Sequence, residues 1–502
     1  MGRKRSKGKA KNDVVFSDNI FETDLLVCDR SPVYGRFLKA KSNIQKGTII
    51  LTEKSLVAGP KIFGKMASCI GCCSHLKSLE FACNTCSWPI CTEKCQYSEG
   101  HSGLECKFFA EKNIKPPGVM NSMDYGAVTV LRTLLLKINQ SVDWEKFLSL
   151  EHHNEDRKTL PHWSDDLSVA KIIREQWNLG ELFSEEDIHI ICGIYEVNGF
   201  ELGVFNSIAS IFPTCSMITH NCVPNAGHFE NMTDGTLEVV SFVDIPRNAP
   251  VTMCYDWCLK GTDVRRRHLL KSKYFYCSCA RCNDPYEFNT NFSTILCSNT
   301  DCRNGSVVST KCDGLTNIDA DWKCRKCSKL YKAADIRAIV DRYENIAETL
   351  ETVKDKEKFL LDCRTALHPN HFIPFLIKFS LCMAYGHDPG YNLHEMSQSD
   401  THRKLELCQE VLKILDVLSP GYSTSRGSIL YEIQAAEVLL SRNILESGKC
   451  SKTLIRKRLQ NSLEKLDESI AIFDLSFPMR MLGESAKTST RFELISFIKA
   501  LK

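Results

Sequence analysis

Four pairs of cysteine and histidine, residue types that bind zinc, fall within 38 positions of this chain. Cys69-x2-Cys72 is followed by Cys83-x2-Cys86, then by Cys91 and Cys95, then by His101 and Cys106. A two-residue gap lets both thiolates of a pair turn inward on one knuckle, and zinc takes four such ligands at about 2.0–2.3 Å. Eight ligands therefore make two closed, structural sites. The segment has few large apolar residues, so the metals are expected to supply much of its folding free energy. Cys73 and His75 stand in register as substitute ligands at the first site.

The chain carries 26 cysteines in 502 residues, and their setting decides how they are read. The N-terminus is basic and lacks the apolar stretch of a secretory signal. No apolar run reaches the ~18 residues that a membrane helix needs. A reducing compartment, cytoplasm or nucleus, is therefore expected, with thiols used for metal rather than for disulfides. Six basic residues and no acid fall in residues 1–12, so the body carries a small negative charge although the whole chain is +3. A broad nucleic-acid surface is not expected. The tail of residues 1–13 reads as disordered, either a localisation or nucleic-acid patch or a solvated basic end.

Length suggests roughly three to five structural units. Residues 14–60 read as short strands and 120–190 as mostly helical, with Leu131, Leu134, Leu135 and Ile138 on one helical face. Residues 191–258 return to strands and turns. Beyond residue 333 the pattern is amphipathic helix, as in Ile336, Ile339, Tyr343, Ile346 and Leu350, and in Leu459, Leu463, Leu466, Ile470 and Phe473. A helical array is expected there, without a clean 34-residue repeat. Cys297-x4-Cys302 and Cys324-x2-Cys327 flank a 21-residue gap, the layout of a zinc ribbon. Cys312 is an alternative ligand, and a structured loop with incidental thiols is the alternative to metal.

Residues 216–225 read Ser-Met-Ile-Thr-His-Asn-Cys-Val-Pro-Asn, which resembles the NHSCxPN string of SET-domain methyltransferases. Val251-Thr252-Met253-Cys254-Tyr255 resembles the strand that ends on the family's tyrosine. Thr262 with Arg265, Arg266 and Arg267 resembles its T-x-x-R stretch, and Cys277-x-Cys279-x2-Cys282 its post-SET motif. Upstream, Tyr34 to Ala40 resembles the GRGLxA opening of the N-lobe. The order of the cysteine pairs from Cys69 to Cys106 matches a cross-braced MYND finger. A finger set between the two halves of a SET domain identifies the chain as similar to the SET-and-MYND (SMYD) family, with wording nearest its arthropod SmydA branch. The resemblance runs through the ordered motifs between residues 34 and 282, and a ribbon-like segment occurs in that branch as well.

The resemblance implies an α+β multidomain fold. Its parts are an N-lobe at 14–68, a MYND finger at 69–106, a helical SET insertion at 107–190, core SET at 191–260, post-SET at 261–285, a zinc-ribbon-like segment at 286–332 and a helical, TPR-like C-terminal domain at 333–502. It implies methyl transfer from S-adenosylmethionine to a protein lysine, histone or not, by a monomeric chain whose finger takes a peptide partner. Tyr255 is then the catalytic tyrosine, with Phe200 in the substrate channel. Gly35, Arg36, Asn198, Ser216, Thr219, His220 and Phe275 contact the cofactor. Cys69, Cys72, Cys91 and Cys95 hold one zinc and Cys83, Cys86, His101 and Cys106 a second. Cys222, Cys277, Cys279 and Cys282 hold a third, and Cys297, Cys302, Cys324 and Cys327 a fourth. His368 and His371, in Leu367-His368-Pro369-Asn370-His371, resemble a helix-junction motif with structural roles.

Some positions depart from the family's pattern. Thr219 replaces its Asn, Asn221 its Ser, Phe37 a frequent Gly, and Asn248-Ala249 a frequent Gly-Glu. Threonine lacks an amide's paired donor and acceptor, and one lost hydrogen bond is worth about 1–3 kcal/mol. Two further readings stay open: a weak or inactive SET scaffold that binds partners, and a nucleic-acid-binding zinc protein acting through its basic tail.

Overall fold

The computed structural model describes residues 18–139, 142–203, 206–231, 235–302, 304–310, 319–448, 450–476 and 479–501. The basic tail and Cys312 lie outside the described residues. The fold is mixed α+β, with small sheets, several cysteine-rich clusters and a helical C-terminal region. It divides into two compact units. One holds the chain up to Lys39 and Lys54–Met217, the other Ala40–Glu53 and Ile218 onward.

In the first unit, strands Leu26–Ser31 and Gly35–Ala40 form a hairpin whose turn needs a left-handed residue, supplied by Gly35 at φ +66. Val57–Pro60, Ile208–Ile211 and Phe200–Leu202 form an antiparallel sheet with the Ile208–Ile211 strand central. Helix Asp124–Ile138 packs against Val57–Pro60. The sequence predicts one apolar face on this helix, but every residue from Tyr125 to Leu136 is buried and Ile138 is exposed. A helix covered on all sides reads as amphipathic only where polar residues remain, and here Thr129, Arg132 and Thr133 are buried with partners inside the protein. Helix Glu185–Asn198 starts at a capping box between Ser184 and Asp187 and runs across residue 190, while helix Glu105–Glu111 runs across residue 106. The expected divisions at 106 and 190 follow cysteine spacing and a composition shift, and both fall inside a helix.

The cysteine-rich segment also has an apolar anchor that its composition hides. Trp88 is fully buried, stacks on Phe109 at 4.6 Å and meets Tyr125 and Trp177 edge-on at 6.1 and 5.9 Å. Its indole nitrogen donates to the Ile114 carbonyl at 3.1 Å. Burial of one large aromatic is worth several kcal/mol, so metal is not the only support of this segment. Its two ends lie side by side. Ala67 donates to the Met120 carbonyl and Ser122 to that of Lys65, each at 2.7 Å.

In the second unit, Ile49–Lys54, Thr236–Ser241 and Ala226–Asn231 form a three-stranded sheet, and Thr219–His220 pairs in parallel with Thr252–Met253. Four short antiparallel strands, Ile295–Leu296, Ser306–Ser309, Trp322–Cys324 and Leu330–Tyr331, make the ribbon. From Ala333 the chain is helical, and helices Phe372–Ala384, Gln398–Leu418, Thr424–Glu446 and Lys452–Leu475 pack each on the next. Leu459, Leu466, Ile470 and Phe473 are buried along the predicted stripe. His371 caps helix Phe372–Ala384, its Nδ1 accepting from Ile373, and His368 accepts from Asn370, so both histidines hold the junction. Among the described residues, no helix is long and apolar enough to cross a membrane.

Candidate metal centres and methyl-transfer site

Four groups of ligands come together, each with its ligand atoms within 4.8 Å of one another. They are Cys69, Cys72, Cys91 and Cys95; Cys83, Cys86, His101 and Cys106; Cys222, Cys277, Cys279 and Cys282; and Cys297, Cys302, Cys324 and Cys327. Every pairing expected from the sequence is present. Sulfur separations of 3.4–3.8 Å recur in all four groups. A disulfide would need about 2.05 Å. The edge of a tetrahedron with zinc–sulfur bonds of about 2.3 Å is about 3.8 Å, so the donors fit zinc in type, number and spacing. Cys73 stands outside the first group, buried beside Arg132. In the third group, hydrogen bonds from Cys277 and Cys279, with help from the Arg265 guanidinium, hold the Cys222 thiol well below its ordinary range.

Of the groups that orient these ligands, the sequence marked Arg265, in its T-x-x-R stretch, and not Glu105, Arg132, Arg281 or Glu287. His101 offers Nε2 to its cluster, 3.7 Å from the Cys86 sulfur, while its Nδ1 lies 2.7 Å from Glu105. Arg132 clamps the same carboxylate at 2.7 and 2.8 Å and also donates to the carbonyls of Ile70 and Ala58. A carboxylate behind a ligating imidazole fixes its tautomer and raises its basicity. At the third group, Arg265 donates to the sulfurs of Cys222 and Cys282 at 3.2 and 3.5 Å. Glu287 pairs with both Arg265 and Arg281, at 3.2 and 2.7 Å, with all three side chains buried. Burial pushes the Glu287 carboxyl up, but the two guanidiniums outweigh it and hold it near 2. For Glu105, the i,i+4 relation to His101 was the available signal.

The remaining expected site residues divide between the two units. In the first, open space surrounds the position a Gly35 side chain would take. Arg36 donates to the Ser149 carbonyl and lies 5.8 Å from the Phe21 ring centre. Asn198, the last residue of its helix, spends its amide hydrogens on the carbonyls of Glu151 and Ile194 at 2.7 and 3.0 Å. Ser216 donates to Phe212 at 2.9 Å, and the Phe200 ring meets Phe212 edge-on at 5.5 Å. Phe37 turns inward, buried against Tyr34.

In the second unit, Thr219 is buried in its strand, opposite Thr252. The rings of His220, Tyr255 and Phe275 form one cluster, with centroids 5.3, 5.7 and 6.4 Å apart, packed beside the third cysteine group. Tyr255 donates its hydroxyl hydrogen to the Ile218 carbonyl at 2.5 Å. Its backbone N–H donates to His220 Nδ1 at 3.0 Å. Asn221 accepts from Val223 at 2.9 Å and so ties its own turn. Asn248 sits at φ +67, a conformation that asparagine tolerates better than most non-glycine residues, which makes it a fitting stand-in for glycine.

These clusters and motifs give the chain SET/MYND and zinc-binding character. It is similar along most of its length to proteins of that methyltransferase superfamily. No family model matches it. SET domain-containing protein SmydA-8, isoform A, of Drosophila melanogaster is 28% identical over 80% of this chain and 87% of its own length. Histone-lysine N-methyltransferase ASHR1 of Arabidopsis thaliana is 24% identical over 65% of this chain and 68% of its own. SET domain and MYND-type zinc finger protein 6 of Schizosaccharomyces pombe is 25% identical over 51% of each.

Proposed function

We propose that the chain is an S-adenosylmethionine-dependent protein-lysine N-methyltransferase of the SET-and-MYND type, with the divisions given by its motifs, two zincs in the finger, one in the post-SET segment and one in the ribbon. The observation that carries this is the placing of Tyr255. It lies in an aromatic cluster with His220 and Phe275, held at its backbone and at its hydroxyl, against a four-thiol site. The relative from Arabidopsis, by its name a histone-lysine N-methyltransferase, supports a protein lysine as substrate.

Open backbone at Gly35 suits a nucleoside ligand. When bound, the cofactor supplies a methyl group on a sulfonium, already a good leaving group. The chain's residues do the rest. Because Tyr255 gives its hydrogen to Ile218, its hydroxyl can only accept from a lysine amine, which orients the neutral amine for in-line attack. Aromatic walls desolvate the ammonium form and lower its pKa.

Incubation of the purified chain with S-adenosylmethionine labelled on the methyl group and a protein extract tests this reading. We expect labelled protein, with the rate falling about a hundredfold in Tyr255→Phe. No cofactor binding at millimolar concentration would sink it. A second reading, a weak or inactive scaffold, has its own observations. Thr219 is buried, both amide hydrogens of Asn198 are spent inside the protein, and both ring nitrogens of His220 are engaged. Methyl transfer that Tyr255→Phe abolishes would exclude it.

A further inference from the structure

His220 connects two groups that the sequence places 33 residues apart, Cys222 and Tyr255. Its Nδ1 lies 3.0 Å from the backbone nitrogen of Tyr255. A peptide N–H can only donate, so Nδ1 is the acceptor and carries no hydrogen. The ring hydrogen is therefore on Nε2, which lies 3.2 Å from the sulfur of Cys222. A thiolate that ligates a metal accepts such a hydrogen.

Within the neighbourhood this tie is one fixed point of the tyrosine's backbone. Met253 pairs with His220 across the two parallel strands, and Asn221 donates to the Met253 carbonyl at 2.9 Å. That ladder ends two residues before Tyr255. The bond from Tyr255 N to the imidazole carries the constraint past the strand end. At the other end, the Cys222 sulfur is held by Arg265 at 3.2 Å and lies 3.4 and 3.8 Å from the sulfurs of Cys282 and Cys277.

We infer that His220 is a positioning residue that anchors the backbone of Tyr255 to the metal site through Cys222, so that metal loading sets where the tyrosine hydroxyl stands. The kinetic consequence rests on the methyltransferase reading; the linkage itself does not. His220 thereby acts through its ring on Tyr255, and a contact from it to a cofactor falls to its backbone or ring face.

The full chain loaded with cadmium-113 tests the linkage, because each metal site gives its own resonance. His220→Asn places an amide oxygen where Nδ1 stands and removes the donor to sulfur. One cadmium resonance is expected to move while Tyr255 keeps its amide protection against exchange. His220→Phe removes both contacts. A cadmium resonance is again expected to move, the Tyr255 amide to exchange at least tenfold faster, and kcat to fall tenfold or more with KM for S-adenosylmethionine unchanged. Cadmium spectra of both variants that coincide with the parent would overturn the inference, as would unchanged exchange at Tyr255 in a folded His220→Phe. If His220→Phe does not fold, the cadmium shift in His220→Asn alone decides. If the parent chain transfers no methyl group, the methyltransferase reading falls, and the cadmium and exchange measurements still judge His220.

Discussion

Three cysteine pairs share a residue that spacing alone did not mark. Cys73, Ser87 and Ser328 each follow the second cysteine of a Cys-x2-Cys pair, and each has positive φ, at 61, 65 and 63°. Each donates its backbone N–H to the carbonyl of the first cysteine, at 2.7, 2.9 and 3.0 Å. This left-handed turn closes the knuckle and aims both thiols at one point, and a non-glycine residue accepts about 1–2 kcal/mol of strain to do so. The ribbon thus repeats the finger's turn, although its first pair has the looser four-residue gap. Which cysteines come together was legible, because ligand spacing is a local property. The residues that make room for them were not, since clearance depends on chain brought in from elsewhere. Gly305 is the clearest case: a side-chain carbon there would lie 2.5 and 2.6 Å from the sulfurs of Cys324 and Cys302. Gly305→Ala should therefore lose the ribbon's metal, and plasma mass spectrometry should find one zinc equivalent fewer per chain than in the parent.

At the scale of elements, periodicity located helices better than it located their surroundings. The stripe in Lys452–Leu475 is visible because one side faces solvent. Helix Asp124–Ile138, buried throughout from Tyr125 to Leu136, gives no such contrast. Its Arg132 passes as a surface residue in the sequence but is 1% exposed, neutralised by Glu105. Caps are a matter of one side chain and can be tested one at a time. Burial holds the His371 imidazole near 3, against 6.5 for an ordinary histidine. Above pH 6.5 the ring is neutral folded or unfolded and contributes no pH dependence. Between 6.5 and 3 only the unfolded chain takes up the proton, so stability falls with pH by about 1.4 kcal/mol per unit, or about 2 kcal/mol by pH 5. Below 3 the effect levels off. His371→Asn keeps a capping acceptor and removes the titration. Its melting temperature should drop less between pH 7 and pH 5 than that of the parent, and equal drops would show that His371 does not titrate in this way.

For the whole molecule, the sequence displayed the cysteine clusters in their order, while their aromatic and ionic partners came from folding. The finger's Trp88 meets Phe109, Tyr125 and Trp177, and its site leans on Glu105 and Arg132. By contrast, the core formed by Ile455, Leu459, Leu466, Ile470, Leu494 and Ile498 contains no metal ligand. Stripping the metals with a strong chelator should therefore divide the chain by its hydrogen exchange. Amides of residues 69–106, 295–302, 304–310 and 319–331 should lose protection, while those of Lys452–Leu475 should keep it. Uniform loss would mean that the helical region depends on metal as well.

The paired ends of the cysteine-rich segment carry a consequence of their own. Because residues 65–67 and 120–122 run alongside each other, the backbone between them departs and returns at a single doorway, while Trp88, Phe109 and Glu105 pack back on Tyr125, Trp177 and Arg132. A segment mounted in this way behaves as a cassette. To the polypeptide on either side it is a tight loop, whatever its length, and the entropy of closing that loop is met once, at the doorway, by two backbone hydrogen bonds. Lineages could lengthen, shorten or exchange the cassette while the strands that flank it kept their register, with only those partners that reach across the doorway, Arg132 foremost, obliged to change in step.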